Sequence, residues 1–170
     1  MRIIAYSFIS LAFILGFYTA VPAIHETAPA ESQIPLPKAE AKELYTYIVK
    51  QNPYTKWQLW PGKGKLYKGT EPHGTLLTTY VNESAHRSAS KKSGMPDGAM
   101  IVKENYTAAG KLSAISVMYK VKGYNTAKGD WFWGQYGPDG SVKAGGKVDS
   151  CINCHEKRKD NDYIFTGPLK

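Results

Sequence analysis

The sequence predicts a mainly β (α+β) fold: an antiparallel β-sheet meander behind one N-terminal helix. Three observations predict it. Beyond an apolar N-terminal run, only Lys38–Gln51 repeats its apolar residues at helical spacing. Short β-prone runs then follow, separated by turns such as Pro96-Asp97-Gly98 and Pro138-Asp139-Gly140. One of these runs, Ser113–Lys122, alternates as a half-buried strand does, with Ile115, Val117, Tyr119 and Val121 on one face. Aromatic residues make up 12% of the 170-residue chain, enough to build a core from little more than one domain.

Each segment has its own reason. Met1-Arg2 is a short positive start, Ile3–Ala20 is almost wholly apolar, and Val21-Pro22-Ala23 ends it with small residues. These are the parts of a secretory signal, so residues 1–23 are expected to direct export and to be cleaved. The alternative is a retained anchor helix, since the run is long enough to span a hydrocarbon core. Residues 24–38 are rich in Pro, Ala and Glu without an apolar period and read as a linker. The folded domain is expected over residues 39–170. Its helix carries Ala41, Leu44, Tyr45 and Ile48 on one face and stops at Asn52-Pro53. Strands are expected at Leu76–Val81, Ala99–Tyr106, Ser113–Lys122 and Asp130–Tyr136. Lys56–Leu66 is a further strand candidate. Short turns between short strands imply antiparallel pairing.

The charge excludes little but limits the partners. The whole chain carries +8, and loss of Arg2 with the signal leaves +7. The basic residues are scattered, which reads as a solvated surface rather than a nucleic-acid site. A weakly basic face suits an acidic redox partner or a membrane surface.

The chemistry is concentrated at Cys151-Ile152-Asn153-Cys154-His155. This is C-x-x-C-H, the attachment site of c-type haem. Two thiols at i and i+3 reach the two vinyl groups on one edge of a haem, and the adjacent imidazole reaches its iron. A thiol oxidoreductase carries C-x-x-C at a strand-to-helix turn of a βαβ unit, which the chain lacks. A zinc site needs more ligands than these. One covalent haem c per chain is therefore expected, with Cys151 and Cys154 holding it and His155 as the proximal iron ligand. Only a short tail follows His155 and it holds no Met or His, so a sixth ligand must come from upstream. The candidates are His25, His73, His86, Met95, Met100 and Met118. His25 lies in the linker, His73 in a Pro-His-Gly turn, and Met100 and Met118 on strands where core packing is the usual role. An open or weakly occupied distal site is expected. Trp131, Phe132, Trp133 and Tyr136 are candidates to wall a flat apolar cofactor.

The segment Cys151–Glu156 followed by Asp162-Tyr163-Ile164-Phe165-Thr166 resembles the cytochrome P-460 family, which includes the cytochromes c-prime-beta. Pro72-His73-Gly74 leading into the Leu76 strand and Pro96-Asp97-Gly98 leading into Ala99–Glu104 agree with it. The resemblance covers roughly residues 39–170. It implies a mostly antiparallel β-fold with one N-terminal helix, a homodimer, and a five-coordinate haem that oxidises hydroxylamine or handles nitric oxide, with a partner cytochrome removing the electrons. It also implies a covalent lysine–haem link, which by motif corresponds to Lys103. The c-prime-beta branch shares the fold without that link, and a strand-end lysine resting its stem on the core is the plainer reading of Lys103. One departure stands out. The hydroxylamine-oxidising branch implies a carboxylate on the strand before the haem motif, and Val142–Val148 contains neither Asp nor Glu. The rival functions are a nitric-oxide-binding protein without turnover and an electron carrier with a strand Met as sixth ligand.

Overall fold

The computed structural model describes residues 34–169. The expected signal segment and all but the last few residues of the expected linker lie outside them. No helix among the described residues is long and apolar enough to cross a membrane.

The chain enters through helix α1, Ala41–Thr46, whose first turn is closed by the Glu40 side chain accepting from the Glu43 N–H at 2.9 Å. The helix continues as a wider π-type turn over Tyr47–Gln51 and ends at Asn52-Pro53, where proline cannot continue it. Leu44, Tyr47 and Ile48 are its buried face. Two very short strands follow, β1 (Gln58–Leu59) and β2 (Tyr67–Lys68). The predicted strand over Lys56–Leu66 thus shrinks to two residues. Both pair with opposite ends of β3 (Leu76–Val81).

The main sheet is an antiparallel meander. β3 pairs with β4 (Met100–Tyr106), then come β5 (Leu112–Lys120), β6 (Trp131–Tyr136) and β7 (Val142–Gly146). Four of these five strands fall where the sequence pattern puts them, to within two residues at each end. Each strand is joined to the next by a local connection, so neighbours in sequence are neighbours in the sheet. In β5, Ile115, Val117 and Tyr119 are buried and the residues between them are not, which is the expected alternation.

A second helix corrects the expectation of one. α2 (Glu83–Lys91) crosses between β3 and β4. Its buried residues are Ala85, Ser88 and Ala89, too small to register as an apolar stripe. Asn82 caps it, accepting from the Ala85 N–H at 3.2 Å and donating to the Gly98 carbonyl at 2.8 Å. That Asn cap, followed by Glu83, was the signal available in the sequence. α3 (Asp149–His155) closes the order and carries the Cys/His motif.

The sheet has two covered faces. One packs α1 against Tyr54, Tyr80, Met100, Val102, Ile115, Val117, Tyr119, Phe132 and Tyr136. Gly145 lets α1 come close, since a Cβ there would stand 2.5 Å from the Ala41 Cβ. The other face packs Val81, Ile101, Trp131 and Trp133 against α2, α3 and the C-terminal segment through Ala85, Ile152, Ile164 and Leu169.

Candidate functional site

On α3, Cys151, Cys154 and His155 stand at i, i+3 and i+4, which are neighbours on one helix face. All three line a cavity of about 580 Å³ between α3, the C-terminal segment and the β4–β6 face. That volume is in the range of small-molecule sites. Both cysteines are free thiols and half-buried. Burial pushes the Cys151 thiol above the usual range.

His155 is 6% exposed. Its Nδ1–H donates to the Tyr163 carbonyl at 2.6 Å, which fixes the tautomer and leaves Nε2 free to bind a metal. Burial, first of all, holds this imidazole below its ordinary pKa. Trp133 packs on the ring at 4.6 Å between centroids and Phe165 meets it edge-on at 5.3 Å.

The Asp162–Thr166 stretch now has a physical role. Asp162 and Tyr163 both adopt positive φ, 53° and 65°, and fold the chain back over α3. Asp162 is anchored by the Lys120 ammonium at 2.6 Å and by the Met95 N–H at 2.8 Å, and its carbonyl accepts from the Trp131 indole at 3.1 Å. Asn161 donates to the Ile164 and Gly167 carbonyls and accepts from the Leu169 N–H. These bonds hold the Tyr163 carbonyl where His155 needs it.

Lys103, on β4, points into the same cavity, on the strand face it shares with Ile101 and Asn105. Among the described residues no carboxylate lies within ion-pair distance of it. Burial pulls its ammonium down to about 8.

His73, one of the sixth-ligand candidates and read from the sequence as a turn residue, also lines this cavity. The Pro-His-Gly turn is real, but it folds over the end of β4, because Gly74, at φ 126°, lies so close to β4 that a Cβ there would stand 2.9 Å from the Tyr106 carbonyl oxygen. This brings the His73 ring to 6.0 Å from that of His155, centroid to centroid. Burial, then the nearby Lys103 and His155, pull its pKa down to about 4. The Asn105 side chain approaches the ring.

Other candidates are separated. Met118 lines the cavity, Met100 is on the opposite face of the sheet, and Met95 packs in the core beside Ile101. His86 is on α2, away from the cavity lining, and His25 lies outside the described residues. Of the four aromatics expected around the cofactor only Trp133 lines the cavity. Strand alternation sends Phe132 and Tyr136 to the α1 face, and Trp131 is committed to Asp162.

The cavity suits a haem on its own terms. Ile101, Met118, Trp133, Ile164 and Phe165 supply apolar wall for a flat macrocycle. Two buried polar atoms that border it, Asn105 Oδ1 and Trp133 Nε1, have no hydrogen-bond partner. Orphaned atoms of this kind are rare in finished protein interiors and mark a place where a bound group belongs.

Residues 52–166 match the family model of cytochrome P460. The chain belongs to the cytochrome P460 family. No curated protein matches it. Membership of cytochrome P460 implies a haem cofactor and chemistry on nitrogen compounds, in agreement with the cavity.

Proposed function

We propose that this protein is an exported monohaem c-type cytochrome that performs redox chemistry on a small nitrogen compound, hydroxylamine or nitric oxide. The convergence of Cys151, Cys154, His155 and Lys103 on one apolar-walled cavity carries this reading. Cys151 and Cys154 would hold the haem by thioethers, and His155 would supply an imidazole nitrogen to its iron. A bound haem supplies a redox-active iron to which small nitrogen ligands coordinate.

The chain's own residues do the rest. The Tyr163 carbonyl keeps His155 oriented and makes it a better donor. Ile101, Met118, Trp133, Ile164 and Phe165 give the cavity an apolar wall. Lys103 is neutral in an appreciable fraction near pH 8, so its amine can accept a proton or act as a nucleophile. Were the Lys103 amine to bond to a haem carbon, it would give up an N–H as the haem gives up a C–H, with two electrons and two protons passing to an oxidant such as a peroxide. Glu71, exposed at the rim, is the one carboxylate among the lining residues and can pass protons from hydroxylamine to water. Electrons leave to a partner cytochrome, which the basic surface would attract if that partner is acidic. The working unit is a homodimer.

Capture of nitric oxide without turnover is the second reading. It is favoured by β7, which offers no carboxylate to act as a base. One experiment separates them. Holoprotein made in a host that attaches c-type haem is given hydroxylamine and a dye acceptor. Dye reduction well above that with free haem supports the enzyme. Nitric oxide uptake without dye reduction supports the binder. A strongly red-shifted ferrous main band marks the Lys103 link.

A further inference from the structure

We propose that His73 ligates the haem iron on the side opposite His155 in the resting protein, so that an external ligand must displace it. The inference rests on the haem c reading above but not on the reaction.

The distance makes the case. A histidine nitrogen binds a metal at about 2.0 Å, and a ring centroid lies about 1.1 Å further on, so two imidazoles trans on one metal have centroids about 6.3 Å apart. The His73 and His155 rings are 6.0 Å apart with an interplanar angle of 84°. A distal histidine that only hydrogen-bonds to an iron-bound ligand would need about 2 Å more, to make room for that ligand.

The surroundings agree. His155 has a fixed oxygen partner for its Nδ1–H in the Tyr163 carbonyl. His73 has an equivalent in Asn105, whose Nδ2 donates to Ser116 Oγ at 2.9 Å and whose Oδ1 is buried without a partner. An Asn105 oxygen accepting from one His73 nitrogen leaves the other free for metal. Asn105 is thus a positioning residue for His73, as Tyr163 is for His155. The loop that carries His73 belongs to neither the sheet nor a helix, so its ring can leave without disturbing the core. Met118, the other upstream candidate on the cavity wall, is fixed in β5.

The test uses haem-loaded full-length protein with absorption and electron paramagnetic resonance spectra in both oxidation states. The wild type is expected to be low-spin, His73→Gly high-spin, and His73→Gly with added imidazole low-spin again. Met118→Leu should keep the wild-type spectrum. Carbon monoxide should bind ferrous His73→Gly about tenfold or more faster, because no internal ligand has to leave first. A high-spin wild type, or a low-spin His73→Gly without imidazole, overturns the proposal. Should His73→Gly not accumulate, low-spin wild type that turns high-spin in His73→Leu serves the same purpose, and unchanged spin in His73→Leu overturns it. Dye reduction by hydroxylamine is read in the same samples. Its absence from both proteins counts against the enzyme reading and leaves the ligation result standing.

Discussion

Lys103 and Glu104 are adjacent on β4 and point to opposite faces of one sheet. On the α1 face, the Glu104 carboxylate accepts from Tyr54 at 2.9 Å and from Tyr106 at 2.7 Å. On the α3 face, Lys103 has no ion-pair partner among the described residues, and Asn105 Oδ1 and Trp133 Nε1 are unsatisfied nearby. Among the described residues, no fully buried side-chain nitrogen or oxygen on the first face lacks a hydrogen-bond partner. The second has polar groups and aromatic walls but lacks the partner that would complete them. In a chain of one main sheet, that contrast locates function more sharply than either face does alone.

The largest effect should come from removing what ties the second face to its cofactor. Cys151→Ala or Cys154→Ala is expected to reduce covalent haem per chain by about tenfold or more, measured as haem mass on the intact protein. Full attachment in both variants would falsify the motif reading. Variants on the α1 face should leave attachment per folded chain unchanged.

Packing comes next. Phe132 is 1% exposed in the α1-face core. Phe132→Ala should lower unfolding free energy by about 3–5 kcal/mol and leave the haem spectrum of the folded fraction alone. A spectral change as large as that of Trp133→Ala would show that the faces are not separate. Glu104→Ala should cost about 1–3 kcal/mol, because the buried Tyr54 hydroxyl and the half-buried Tyr106 hydroxyl lose their acceptor. An urea midpoint within error of wild type would remove the claim that this face is held by its polar pairing.

How much of this contrast was legible in the sequence follows from the range of each interaction. Strand positions were, because alternation in Ser113–Lys122 and the Pro-Asp-Gly turns are local. The Cys/His site was, because its spacing is written in five adjacent residues. The side of the sheet taken by Trp131, Phe132, Trp133 and Tyr136 was not assigned, although alternation implies it. Phe132 sits opposite Tyr119 and Trp133 opposite Met118, and that pairing across strands is what fixes the face. The position of His73 relative to His155 was hidden for a similar reason. Its local sequence describes a turn correctly, but only the close approach of Gly74 to Tyr106 says where the turn lies. α2 was missed because alanine and serine bury without an apolar signature.

The smallest effect is a matter of pH, and its sign separates the faces again. In the haem-free Cys151→Ser/Cys154→Ser chain, Lys103 has a folded pKa of about 8, below its unfolded value near 10.5, because burial penalises the ammonium. Below pH 8 the lysine is charged in both states and the burial penalty is fully present. Between pH 8 and 10.5 the unfolded chain holds the extra proton, so stability rises with pH, and above that window the penalty is gone. Lys103→Met should therefore stabilise this chain at pH 7, by about 1 kcal/mol once water reaching the cavity is allowed for, and should lose its advantage by about pH 10.5. Tyr119 on the other face behaves in the opposite way. Burial first, then Asp97, raise its folded pKa to about 12, so its contribution is intact below pH 10 and fades as pH climbs from 10 through 12. Urea midpoints of the parent chain, Lys103→Met and Tyr119→Phe across pH 7–11 read both trends. A difference between the parent and Lys103→Met that does not vary with pH would mean that the amine is solvated, and the cavity face would then lose its unpartnered charge.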